Sequence, residues 1–94
     1  MDREKICEKL VDILKKYGVN KIAVFGSFAR GEDTPDSVLD IIVEFSVRKS
    51  LFDIVRIERE LSEELGIKVD LLTEKSISPY IADEIQKDLK VIFK

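Results

Sequence analysis

The apolar residues of this chain switch repeatedly between helical and strand spacing. The first helical pattern has apolar residues three or four positions apart, at Ile6, Leu10, Ile13, Leu14 and Tyr17. It predicts an amphipathic helix that ends at Gly18. A short run of strand-forming residues follows at positions 21–25, and its nearly continuous apolar character predicts a strand that is buried on both faces.

Two further helices are predicted from their starting residues. Ser50 begins one of them, because Asp53 stands three residues later in the spacing of a capping box, and Gly66 is predicted to end it. The apolar stripe predicted for this helix consists of Leu51, Ile54, Val55, Leu61 and Leu65. Ser78 and Pro79 predict the start of the last helix, with serine as the N-cap and proline at the first helical position.

Three more segments have strand character, at residues 38–45, 67–72 and 91–93. Residues 29–37 are rich in turn-forming and charged side chains, so they predict the main loop. Helical and strand patterns follow one another without a linker or an internal repeat. We therefore expect one α/β domain over residues 1–94, with helices flanking a small mixed β-sheet.

The composition removes several classes of function. With 94 residues, the chain has room for one modest core and for no second lobe that would hold a large substrate. Its net charge of -3 is spread over interspersed positive and negative residues, so no direct DNA binding is expected. The absence of His excludes Ser-His-Asp triads and imidazole metal sites. The lone Cys7, the lack of a signal-peptide pattern and the lack of a membrane-spanning apolar run favour a cytoplasmic protein.

The turn after the first strand has features of an anion site. Gly26 permits close approach of the backbone, and the hydroxyl of Ser27 can face a phosphate together with the free amides at a helix start. Arg30 follows about one helical turn later and can add a planar cation on the same side. A Gly-Ser turn on its own more often does no more than cap a helix, so this motif alone is weak.

Two acids interrupt otherwise apolar strands. Asp40 and Asp70 would each cost roughly several kcal/mol if they were buried without compensation. A single acid of this kind is explained by a solvated strand end. Two acids on separate strands, together with the Gly-Ser turn, favour a shared cation site built from oxygen ligands.

The combined pattern resembles the minimal nucleotidyltransferase family, and in particular its antitoxin-type members, within the DNA polymerase beta-like nucleotidyltransferases. The matching segments, which span nearly the whole chain, are FGSFARG at 25–31, TPDS at 34–37, DIIVEF at 40–45 and VDLL at 69–72.

The resemblance implies a nucleotidyltransferase-like fold and the transfer of AMP from ATP to a hydroxyl group, with two Mg²⁺ ions and release of pyrophosphate. Carried over by position, Gly26, Ser27 and Arg30 bind the nucleotide. Asp40 and Asp70 are the catalytic carboxylates and the metal ligands.

One position departs from the family pattern. Val38 stands two residues before Asp40, where the family has an acid that ligates both ions, and valine cannot ligate magnesium. Asp36 would lie about 13 Å from Asp40 along an extended chain, so it substitutes only if the loop folds back. An engineered change, a natural loss and a tolerated variant that still holds one magnesium remain open. We expect weak binding of magnesium-ATP and poor or absent transfer of AMP.

The resemblance also implies a protein partner. Small members of the family look like the antitoxin half of a toxin-antitoxin pair, whose HEPN-type ribonuclease toxin carries a tyrosine as the AMP acceptor. Either this chain transfers AMP to such a toxin, or it is a catalytically inactive module that neutralises its partner by occlusion. A nucleotide-sensing regulator of a larger enzyme is a more remote third hypothesis. The sequence leaves homo-oligomer formation open.

Overall fold

Helices and strands alternate along the described residues, which are 3–32, 34, 36–74 and 77–94 of a computed structural model. In chain order the elements are α1 (Arg3–Lys15), β1 (Val19–Phe25), α2 (Gly26–Arg30), β2 (Leu39–Phe45), α3 (Leu51–Leu65), β3 (Val69–Thr73), α4 (Pro79–Asp88) and β4 (Lys90–Phe93). The strands form a mixed sheet with helices packed on it, which confirms the expected fold class.

The sheet has the strand order β3-β2-β1-β4. β1 pairs antiparallel with both β2 and β4, whereas β2 and β3 are parallel. The parallel pair requires a crossover connection, and α3 provides it. Side chains of α3 also cover the edge strand β3, because the N–H groups of Val69 and Leu71 donate to Ser62 Oγ at 3.1 Å and Glu58 Oε2 at 2.9 Å. This part of the edge is thereby blocked against pairing with another strand.

The main core lies between the sheet and the helices α1 and α3. Alternate residues of each strand point to this face, as the two-residue period of a strand requires. Its buried members include Leu10 and Leu14 of α1, Ile22 and Val24 of β1, Leu39, Ile41 and Val43 of β2, and Ile57, Leu61 and Leu65 of α3. α4 packs on the opposite face, where Ile85 is buried together with Ala23 of β1 and Ile42 of β2.

The buried stripe of α3 differs from the predicted one. Ile57 was absent from the predicted stripe but is only 1% exposed, whereas Leu51 and Val55 are 77% and 51% exposed. Ile54, Ile57, Leu61 and Leu65 recur every three or four residues and share one side of the helix. Leu51 and Val55 are exposed at the start of the helix, so the prediction that they belong to the buried stripe was wrong. Apolar character alone did not show which side of the first turns meets the sheet.

The predicted helix caps are confirmed. Ser50 and Asp53 form a capping box, in which Asp53 N–H donates to Ser50 Oγ at 3.2 Å and Ser50 N–H donates to Asp53 Oδ2 at 3.1 Å. These hydrogen bonds lower the pKa of Asp53. Ser78 caps α4, with Pro79 at the first position, and Gly66 follows α3 with a φ of 69°.

Several predicted boundaries were shifted. α1 ends at Lys15, and Tyr17 lies in the turn that leads to Gly18. Ala29 and Arg30 belong to α2 and not to the main loop, because Phe28 and Ala29 insert into the core and hold this helical turn in place. β1 begins at Val19, where pairing with the end of β2 extends it by two residues. Among the described residues, no helix is long and apolar enough to cross a membrane.

Candidate functional site

Asp40 and Asp70 lie side by side on the face of the sheet that carries α4. They are direct partners in the parallel pairing of β2 and β3, so their side chains emerge from the same face. The neighbours of Asp40 along the strand, Leu39 and Ile41, point to the opposite face and into the main core. The register therefore brings the two predicted carboxylates together outside the core.

Asp40 is the half-buried member of this acid pair, and Asp70 is exposed. Burial raises the pKa of the Asp40 carboxyl, and the negative charge of Asp70 raises it further, while the positive charge of Arg30 lowers it. Two adjacent carboxylates repel each other when both are ionised, and a cation between them relieves that repulsion. The pair is thus a suitable place for a divalent cation.

Gly26 brings the first turn directly against Asp40. Its φ of 73° lies in the left-handed region, which residues with a side chain seldom adopt. A Cβ at this position would also collide with Oδ2 of Asp40. The pairing of β1 with β2 explains this closeness, because Phe25, the residue before Gly26, is the partner of Asp40. Glycine suits the conformation of this position, and a side chain here would force the carboxylate of Asp40 to move.

Ser27 is the second residue of α2, next to this contact. Its carbonyl oxygen accepts a hydrogen bond from Glu32 N–H at 2.9 Å, which closes the short helix. Its half-buried side chain has no hydrogen-bond partner within the part of the chain that the structure describes. The hydroxyl is accordingly available to a ligand beside the acid pair.

Arg30 already binds two acids of the protein. Its Nε donates to Glu32 Oε2 at 3.0 Å, and its Nη1 donates to Asp88 Oδ2 at 2.7 Å. Asp88 is the last residue of α4, so the ion pair ties α2 to α4. The guanidinium is still near enough to Asp40 to lower the pKa of that carboxyl. A phosphate that used Arg30 would compete with Glu32 and Asp88, and the sequence contained no signal for this contact.

Val38 directly precedes β2 and is half-buried. Next to it, Leu39 N–H donates to the carbonyl oxygen of Lys68 at 2.8 Å, so the parallel pairing begins at this point. Val38 is two residues before Asp40 and offers no oxygen atom to the acid pair. The position expected for a third ligand is therefore apolar.

The acid pair could ligate a divalent cation only together with other oxygen atoms. Within residues 3–32, 34, 36–74 and 77–94, no group of three or more acidic, histidine or cysteine side chains could hold a metal ion. Asp40 and Asp70 can supply two carboxylates, and water or phosphate oxygens can complete the coordination of one Mg²⁺. Asp36 is exposed in the main loop, while Asp33 and Pro35 of that loop lie outside the described residues.

Comparison with known proteins identifies the family of this chain. The family model of the nucleotidyltransferase domain matches residues 7–92. A Methanocaldococcus jannaschii protein with the provisional name protein adenylyltransferase is 47% identical over 85 residues, which cover 90% of this chain and 91% of that protein. The protein adenylyltransferase MntA of Thermococcus cleftensis is 36% identical over 78 residues, which cover 83% of this chain and 79% of MntA.

Solved structures show the same fold. A protein described provisionally as a minimal nucleotidyltransferase superposes with a TM-score of 0.80 at 31% identity, over 96% of this chain and 95% of the other. A chain from the complex of the tri-AMPylated Shewanella oneidensis HEPN toxin with its MNT antitoxin gives a TM-score of 0.81 at 18% identity. That match covers 98% of this chain and 72% of the other. At such low identity it shows the shared fold alone.

Proposed function

Because this chain belongs to the nucleotidyltransferase domain family, we propose that it is an antitoxin that transfers AMP from ATP to a HEPN-type toxin, at a rate reduced by Val38. The observation that carries this proposal is the in-register pairing of Asp40 with Asp70 beside Gly26 and Ser27. Relatives named as protein adenylyltransferases support the reaction. The complex of an AMPylated HEPN toxin with its MNT antitoxin supports the partner.

Each site residue has a distinct role in this proposal. Ser27 offers its hydroxyl to the triphosphate, and Gly26 lets the phosphates approach the backbone. Asp40 and Asp70 would hold Mg²⁺, which supplies charge neutralisation on the triphosphate and activation of the acceptor hydroxyl. Asp70 is exposed, so an acceptor side chain of a partner protein could reach it. Arg30 adds positive charge near Asp40.

Restoring the missing acid tests the proposal. We expect Val38→Asp to increase AMP transfer to a co-expressed HEPN-type toxin by at least about 10-fold, because a third carboxylate completes the metal ligands. The measurements are incorporation of labelled AMP from ATP and the intact mass of the toxin. Val38→Asn is the matched control, because it has the same shape as the aspartate variant but no negative charge.

The outcomes separate the parts of this proposal. If the unmodified chain transfers AMP as fast as the Val38→Asp variant, then Val38 does not impair the site. If neither form shifts the mass of the toxin, AMP transfer is the wrong reaction.

The second candidate is a catalytically inactive module that neutralises its partner by occlusion. The apolar Val38 favours it, because the acid pair lacks the third carboxylate. The engagement of Arg30 by Glu32 and Asp88 favours it as well. Inhibition of the toxin without any change in its mass would support occlusion over transfer. Cytoplasmic location, the use of Mg²⁺ and the oligomeric state stay predictions.

A further inference from the structure

A cavity of about 420 Å³ lies between α4 and the sheet, on the face that carries the acid pair. We call it the α4 cavity, and it is lined by Lys21, Ile42, Glu74, Ile77, Pro79, Ala82, Ile85, Gln86 and Leu89. Its volume is within the range of small-molecule sites. It remains open partly because Ala82, on the side of α4 that lines it, has a small side chain.

The lining of the α4 cavity indicates the chemistry of its ligand. Ile42 and Ile85 are buried where they line the cavity, and the accessible lining is mixed, with polar atoms contributing slightly more than half of it. Lys21 and Glu74 form an ion pair at 3.4 Å, so the positive charge of Lys21 is compensated. Gln86 contributes a primary amide, which can donate and accept a hydrogen bond in one plane. A flat, neutral ring with hydrogen-bonding groups on one edge fits this mixed lining, and the paired Lys21 offers little attraction to an anion.

The position of the cavity relates it to the acid pair. Ile42 follows Asp40 by two residues and shares its face of β2, so the two positions are about 7 Å apart along the strand. At the other side, Leu89 follows Asp88, which binds Arg30 of α2. A ligand with its phosphates at α2 and Asp40 would therefore have its uncharged part beside α4.

We propose that the α4 cavity binds the nucleobase of the nucleotide, and that the amide of Gln86 selects adenine. This inference rests on the proposed function and names the base-binding part of the same site. An amide can accept a hydrogen bond from the N6 amino group of adenine while it donates to N7. Guanine has the acceptor O6 in place of that amino group, so the same pair of hydrogen bonds does not form. The ring itself packs between Ile42 and the small side chain of Ala82.

A large side chain inside the α4 cavity tests whether the nucleobase binds there. Binding of Mg-ATP and of Mg-tripolyphosphate to the full chain is measured by calorimetry, for the unmodified protein and for Ala82→Phe. We expect Ala82→Phe to weaken ATP binding by at least about 10-fold and to leave tripolyphosphate binding unchanged, because only ATP carries a base. Ile81→Phe is the matched control, since Ile81 is 47% exposed on the same turn and does not line the cavity. Equal weakening of both ligands, or no weakening of either, overturns the location.

Replacing the amide of Gln86 tests the selectivity for adenine. This test does not require a change in the packing of the cavity. Gln86 is exposed, so Gln86→Leu leaves the fold intact. We expect the unmodified chain to bind ATP more tightly than GTP and expect Gln86→Leu to reduce that ratio by about 10-fold. If Ala82→Phe does not fold, as judged by its thermal unfolding, this variant decides the proposal. An unchanged ratio, or the lack of any preference in the unmodified chain, overturns it.

The failure of this inference can be told apart from the failure of the proposed function. If the unmodified chain binds ATP no more tightly than tripolyphosphate, the base has no subsite, but the phosphate site stands. If it binds neither ligand in the presence of Mg²⁺, the nucleotide site itself is wrong, and the inference falls with it.

Discussion

The two faces of the sheet differ in how completely they are covered. On the face toward α1 and α3, the β2 residues Leu39, Ile41 and Val43 are no more than 2% exposed. On the opposite face of the same strand, Asp40 is half-buried and Glu44 is exposed, because α4 covers only part of this side. One strand thus contributes alternately to a closed core and to an open site.

This difference shows why the acids occur where they do. A carboxylate on the closed face would lose its hydration without gaining a partner. On the open face, Asp40 is desolvated only enough to raise its pKa, and Asp70 remains exposed. The closed face supplies the stability that allows the other face to hold two like charges together.

The largest expected effect comes from shortening a buried side chain in the core on the closed face, which is the face toward α1 and α3. Leu61 is fully buried in the main core, so Leu61→Ala should lower the free energy of unfolding by about 3 kcal/mol. Ile85→Ala on the α4 face should cost about 1–2 kcal/mol, because its surroundings are only partly packed. Urea unfolding of both variants measures the difference. Equal losses would show that the two faces are equally well packed, which would break the comparison.

A pair of glycine variants should have the next largest effect. Gly66→Ala introduces a side chain at a φ of 69° where nothing lies within 4 Å, so it should cost about 1 kcal/mol of backbone strain. Gly26→Ala has the same strain and also collides with Asp40, so we expect a loss of at least about 2 kcal/mol. Chemical denaturation gives both values. Nucleotide affinity should fall for Gly26→Ala alone, and a fall for both variants would contradict a local contact with the acid pair.

The smallest expected effect concerns the pH dependence of stability. The pKa of Asp40 is raised in the folded protein above its ordinary value of 3.8. Between the ordinary pKa and the raised pKa of Asp40, the folded state binds more protons than the unfolded state. The free energy of unfolding therefore decreases as the pH rises through this window and stays reduced above it. Asp40→Asn removes this loss. Compared with the unmodified chain, this variant should therefore gain more in melting temperature at pH 7 than at pH 4. Thermal unfolding across this range, with Glu44→Gln on the same strand as the control, checks it.

If the difference in stability between Asp40→Asn and the unmodified chain does not change with pH, Asp40 does not sense burial or the charge of Asp70. If Glu44→Gln changes the pH dependence of stability by the same amount, the effect is not specific to Asp40 and its neighbour Asp70.

Much of the site was readable from local sequence. Gly26 and Ser27 follow a strand, and Asp40 and Asp70 interrupt strands, so their places in the element order could be predicted. The caps at Ser50 and Ser78 could be predicted as well, because an N-cap depends on residues two or three positions away. The side of α3 that is buried could not, since it depends on how the helix lies on the sheet. The ion pair of Arg30 with Asp88 joins residues 58 positions apart, and no local sequence pattern predicts it.

The sequence by itself determined the order of the elements, their caps and the polar residues that each strand carries, because periodicity and capping act over a few neighbouring residues. The tertiary structure decided that β2 and β3 pair with Asp40 opposite Asp70, and that α4 leaves a cavity on the same face of the sheet. Register and helix docking depend on the packing of segments that are distant in the chain. A shift of one residue in register would have sent one of the two acids to the other face.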